Sequence, residues 1–222
     1  MARNVLTHNL SEPLSGATTA KVDINVGDGN LTIDRFTGGG QVLASGTLQY
    51  TENQGVPTQT LDSSNGHANL TLKVGRAGQP WFRLPWAACN GATEWQIHLN
   101  PTVSSDITAH ADGGSVKLDL AGMTVTSVSA DTGGGNMEVV LPDNAGNLSV
   151  TVKSGAGNVV VHIPSAMVAR IQAATGLGKV VVDPQFNRTE KNTYQSPDYD
   201  GAANKVEITA SSGAGNVIVS TK

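Results

Sequence analysis

One unit recurs along this chain, and it constrains the fold more than any other feature. Two strand-like runs flank a Gly-x-Gly turn, as in Val128–Pro142 around Gly133-Gly134-Gly135-Asn136 and again in Val150–Pro164 around Gly155-Ala156-Gly157-Asn158. A third copy, Ile171–Pro184, turns at Gly176-Leu177-Gly178-Lys179. Further copies surround Gly27-Asp28-Gly29-Asn30, Asp112-Gly113-Gly114-Ser115 and Gly213-Ala214-Gly215-Asn216, and a degenerate one spans Leu61–Val74. Measured at the second glycine, Gly114, Gly135, Gly157 and Gly178 are spaced by 21, 22 and 21 residues, whereas Gly178 to Gly215 is 37 and holds an insertion, 185–205.

Within each copy apolar residues alternate with Lys, Asp, Ser, Thr and Gln. That is the two-residue period of a strand with one buried face, and it excludes a helix. A lone pair of such strands cannot bury its apolar face, but copies stacked about 4.8 Å apart share backbone hydrogen bonds and one core. The expected fold is all-β, a single-domain parallel β-solenoid over 1–222 with rungs of 21 or 22 residues. Residues 102–222 would carry the regular repeats, and 1–101 less regular rungs together with an aromatic loop.

The rungs are expected to stack in chain order, with Gly135, Gly157 and Gly178 in one column. At the corner marked by Gly29, Gly114, Gly135, Gly157, Gly178 and Gly215 the backbone needs φ > 0, and a Cβ would crowd the next rung. Pro142, Pro164 and Pro184 mark a second corner. The residue after the glycine is Asn30, Asn136, Asn158 or Asn216 in four copies, which suggests an amide ladder along the stack, interrupted where Lys179 replaces asparagine.

Composition narrows function mainly by exclusion. Net charge is −4 with 14 Lys plus Arg, unclustered, so the basic surface that nucleic-acid binding needs is missing. The single cysteine, Cys89, reads as a small buried hydrophobe. No apolar leader opens the chain and no run of about 18 apolar residues occurs, so no membrane span is expected and the location as written is cytoplasmic.

The glycine turns are not a phosphate cradle, because a strand follows each of them where a phosphate loop needs a helix N-terminus. No cofactor or metal is expected: the turns lack the recurring Asp of a calcium repeat, and His8, His67, His98, His110 and His162 fall at unrelated positions. Asp112 and Asp131 lie near one corner of adjacent rungs, the arrangement a glycan-cleaving pair would use, but solvated turn residues are the simpler reading. No catalytic residue is assigned. The segment Trp81-Phe82-Arg83-Leu84-Pro85-Trp86, with Trp95, holds every tryptophan. Trp81, Phe82, Arg83 and Trp86 read either as a hydrophobic plug or as a patch for a partner or glycan.

The ordered series of Lys21-Val22-Asp23-Ile24, the Gly-x-Gly-Asn turns, Trp95-Gln96-Ile97-His98-Leu99-Asn100-Pro101 and Tyr194–Tyr199 before a last Gly-Ala-Gly-Asn resembles the bacterial toast-rack proteins. These are relatives of LiaF-like cell-wall stress regulators and of adhesin-like domains. The resemblance implies a β-helix-like fold, an envelope association and a non-enzymatic scaffold or interaction module with a protein partner. A self-associating structural protein is the alternative, and a glycan-binding or glycan-active protein a third reading.

Overall fold

The computed structural model describes residues 4–52, 54–74, 93–144 and 146–222. The segment holding Trp81, Phe82, Arg83, Trp86, Cys89 and the 75–80 loop lies outside them. The described residues are all-β apart from one 3-10 turn, Tyr199–Gly201, and build two large, mostly parallel sheets of nine and ten strands.

Seven rungs each contribute one strand to each sheet. In chain order they are β2 (Thr19–Asn25) with β3 (Gly29–Arg35), β6 (His67–Lys73) with β7 (Thr93–Leu99), and β8 (Ser104–Ala111) with β9 (Val116–Asp119). Then come β10 (Val125–Thr132) with β11 (Met137–Val140), β12 (Asn147–Ala156) with β13 (Val159–Ile163), β14 (Val168–Leu177) with β15 (Val180–Val182), and β18 (Lys205–Ala214) with β19 (Val217–Thr221). The first strand of each rung lies in one sheet and the second in the other. Alternation does the rest. Val22, Ile107, Val128, Val150, Ile208 and Ile171 form one buried in-register row, and Ile33, Leu118, Val139, Val161 and Val219 form a row in the other sheet.

The spatial order departs from the chain order at both ends. The first rung, β2/β3, is sandwiched between β6/β7 and β8/β9, and the last, β18/β19, between β12/β13 and β14/β15. The glycine column therefore reads Gly29, Gly114, Gly135, Gly157, Gly215, Gly178, with Gly215 between the two glycines that chain order would make neighbours. The turn residues carry a ladder through this order. The Asn30, Asn136, Asn158 and Asn216 side-chain oxygens accept the backbone N–H of Ser115, Asn158, Asn216 and Lys179, at 2.9, 3.0, 2.9 and 3.0 Å. The ladder runs from amide oxygen to the next rung's backbone, not from amide to amide. Lys179 has no oxygen to offer, so a rung stacked beyond it would leave a corner N–H unmet by a side chain. Its strand, β15, is the last of its sheet among the described residues, so the ladder ends there where chain order suggested an interruption.

Antiparallel strands that the repeat did not foretell extend both sheets at one end of the stack and one sheet at the other. β4 (Val42–Thr51) runs antiparallel to β7, and β1 (Val5–Pro13) antiparallel to β4. The weak copy at Leu61–Val74 is a hairpin of β5 (Thr58–Ser64) and β6, turning at Asn65-Gly66 with φ of 51° and 77°, the left-handed pair of a tight hairpin. At the far end the insertion forms β16 (Asn187–Arg188) and β17 (Thr193–Gln195), and β17 pairs with Arg170–Gln172 of β14.

The second corner is a hydrogen-bonded turn that tucks an apolar side chain under the rung. Met123 N–H donates to Leu120, Met167 to Pro164 and Phe186 to Asp183, and Met123, Met167 and Phe186 are buried. Trp95 is a core residue too, fully buried with its indole N–H donated to Gln49 O at 2.9 Å.

At the glycine corner Gly114, Gly135, Gly157, Gly215 and Gly178 have φ between 105° and 151°, and a Cβ on Gly157 would overlap the carbonyl oxygen of Gly135 beneath it, whereas Gly29 does not have the expected positive φ and is crowded instead by Thr93. A hydroxyl column reinforces the contact: the buried Thr132, Ser154 and Ser212 and the half-buried Thr175 donate to the Gly114, Gly135, Gly157 and Gly215 carbonyls at 2.9, 2.9, 2.7 and 2.7 Å. Gly157→Ala is accordingly expected to lower stability by about 2–4 kcal/mol, combining backbone strain with overlap. Gly134→Ala, where a Cβ meets nothing within 4 Å, should change it by well under about 1 kcal/mol. Urea unfolding of the two variants checks the difference.

Candidate functional site

The outward side chains stand in rows across the rungs. On the sheet that contains β8, β10, β12 and β18, one row is Thr108, Ser129, Thr151 and Thr209. Beside it runs Asn25, His110, Asp131 and Lys153. Parallel pairing in register puts equivalent positions of successive rungs next to one another, so any residue repeated in the unit becomes a stripe on the surface.

Asp112 and Asp131, the two acids singled out from the sequence, do come together, and His110 stands between them. Its Nδ1 lies 2.5 Å from Asp131 Oδ2, and its Nε2 lies 3.1 Å from Asp112 Oδ1. Asp131 belongs to the neighbouring rung, so the imidazole clamps two rungs together. The side chains are 37%, 52% and 47% exposed for His110, Asp112 and Asp131, an open sheet surface with both carboxylates engaged by one ring. Sequence reading found the acids but missed the histidine, because His110 is two residues from Asp112, which lies just past the end of β8, and meets Asp131 only through the register.

Of the remaining histidines, His98 bonds Asp34, His162 bonds Ser220 at 2.9 Å, His67 bonds Thr19 at 2.9 Å, and His8 bonds Gln59 at 3.3 Å. Among the described residues no group of three or more His, Cys, Asp or Glu is arranged to hold a metal ion. On the other sheet Lys117 and Glu138 pair across rungs at 3.4 Å, and beyond them the outer row turns apolar at Val160, Ile218 and Val181. At the far end Arg170 lies over the Tyr199 ring at 4.4 Å and Lys205 at 5.2 Å, pinning the insertion to β14 and β18. Asp183 accepts the Thr221 hydroxyl at 2.6 Å and the Gln185 N–H at 3.0 Å, which holds its carboxyl below the ordinary range.

Burial alone lowers the pKa of His110, but the hydrogen bonds and charges of Asp112 and Asp131 outweigh it, and the net result lies above the ordinary 6.5. The folded state thus favours the protonated ring. The stability it contributes is fully present below 6.5 and is lost as pH rises through the elevated value. Relative to a His110→Asn variant, the native chain should show its melting advantage at about pH 6 and lose it by about pH 9. Paired thermal melts across that interval test this, and a constant difference would show that the ring acts by packing alone.

The fold has a full-length counterpart among solved structures. A candidate cell adhesion protein from Clostridium sporogenes aligns over 99% of this chain and 100% of its own, with a TM-score of 0.86 at 23% identity, which shows a shared fold. Candidate adhesins from Bacteroides fragilis (10% identity, 98% of both chains, TM-score 0.33) and Parabacteroides distasonis (9% identity, 99% and 98%, TM-score 0.32) are too distant in geometry to add to this. No curated protein matches the chain. No helix among the described residues is long and apolar enough to cross a membrane. The model of the N-terminal domain of toast_rack, DUF2154, matches residues 2–162, and the chain belongs to that family.

Proposed function

We propose that the chain is a flattened β-solenoid serving as a non-enzymatic interaction module of adhesion type, working at the cell envelope. The observation that carries this reading is the arrangement of the two outer faces. Each rung adds one residue to every outward row, so recognition can be spread over a long surface, as on other stacked-repeat proteins. The full-length likeness to a structure described as a candidate cell adhesion protein supports it. So does the site around His110, whose acids are tied to an imidazole on an open face, an arrangement suited to cohesion between rungs.

Beads coated with the folded chain should adhere saturably to intact bacterial cells, and soluble chain should compete for the same sites. Replacing Thr108, Ser129, Thr151 and Thr209 together with Lys tests one face: a loss of at least about tenfold in adhesion with an unchanged melt would assign it to that sheet. Absence of saturable, competable adhesion to cells or to purified envelopes would reject the adhesion reading.

A further inference from the structure

The two sheets stop at different places at the end of the stack that carries the insertion. Past β14, one sheet continues through β17 and β16, whereas the other ends on β15. Among the described residues β15 is bonded on one side only, to β19. Val217 N–H donates to Lys179 O and Asp183 N–H to Val219 O, each at 2.9 Å, so these residues face inward. By strand alternation the N–H and C=O groups of Val180 and Val182 point away from the stack.

The surface beside this edge is apolar. Val181 is 53% exposed and Leu177 76%, and Val181, Ile218 and Val160 form a continuous outer row that runs up to the edge. The positions in register with Leu177 on the next two rungs are Ala214 and Ala156, so a large apolar side chain occurs at this position on the end rung and small ones behind it.

We propose that β15 receives a single extended strand from a partner protein, added antiparallel to the edge. Centred on Val181, such a strand takes both outward N–H and both outward C=O groups of Val180 and Val182, the main-chain part of strand addition. Specificity comes from the side chains. The partner places an apolar residue against Val181, an acidic one against Lys179 and a basic one against Asp183, because like charges directly opposite are destabilising. A whole second copy does not fit, since β17 and β16 already occupy the next positions in the other sheet, where the copy's own rung would have to lie. A lone strand needs only the layer that is empty.

The proposal deepens the interaction-module reading by giving it a partner chemistry, and it is tested separately. The segment Lys179-Val180-Val181-Val182-Asp183 satisfies its own demand: reversed against itself it sets Lys opposite Asp at both ends. A fluorescent peptide carrying residues 177–184 with a polar tail is therefore the probe, titrated with the full chain and followed by anisotropy.

Saturable one-to-one binding is expected. It should weaken at least about tenfold when Lys and Asp are exchanged in the peptide at low salt. It should vanish with Val182→Pro, which removes an outward N–H and leaves the pairing to β19 intact. Val181→Lys, a side-chain change alone, should also weaken it, and thermal melts verify that both variants fold. No saturation, or equal binding to Val182→Pro, overturns the proposal. A concentration-dependent dimer of the native chain that Val182→Pro abolishes would name a second copy as occupant and also overturn it. Cell adhesion unaffected by Val182→Pro would leave the adhesion reading standing without this edge.

Discussion

The stack depends on backbone meeting backbone at one corner. Where Gly157 lies over Gly135, and Gly215 over Gly157, the space a Cβ would fill is taken by the carbonyl oxygen of the rung below. This contact lets the chain reverse from one sheet into the other within a few residues while both sheets keep strand spacing. The hydroxyls of Thr132, Ser154 and Ser212 and the amide oxygens of Asn136 and Asn158 then satisfy polar groups that so tight a corner would strand. Small side chain, positive φ and local hydrogen bonding are one requirement expressed three ways.

Directionality follows from the same corner. Each asparagine serves the rung stacked on it, and the ladder skips Ser115 inside the stack and ends at Lys179. The insertion gives the chain the length to pass beyond the end rung and return to the place between β12/β13 and β14/β15 with β18 and β19. The opposite end repeats the device with β2/β3 held between two later rungs. The first and last rungs in the sequence are therefore interior rungs in space, hydrogen-bonded on both sides, whereas the N-terminal strand β1 lies at a sheet edge beside β4.

A scaffold secured at its corners leaves its outer rows free of structural duty. Thr108, Ser129, Thr151 and Thr209 can change without touching the core, and so can the apolar row at Val160, Ile218 and Val181. Other outward groups do tie rungs, Lys117 to Glu138 and His162 to Ser220 among them, and the His110 clamp also responds to pH. A module for contact with other molecules needs this separation between what holds it together and what it presents.

The sequence by itself determined what is local and periodic. Strand alternation, the glycine corner with its crowded Cβ, the proline corners and the single stacked core could all be read from residues such as Gly135, Asn136 and Pro142, because each follows from the repeat unit and from stacking equivalent positions, whichever rung is the neighbour. The toast-rack resemblance could be read from the order of those motifs. Tertiary structure alone decided which rung lies beside which, because near-identical units pair almost equally well in any order and the choice rests on end effects: one lysine in the ladder, one insertion, two sets of antiparallel caps. For the same reason only the structure could set His110 against Asp131, place Trp95 in the core with its indole N–H on Gln49 O, and leave β15 as an edge among the described residues.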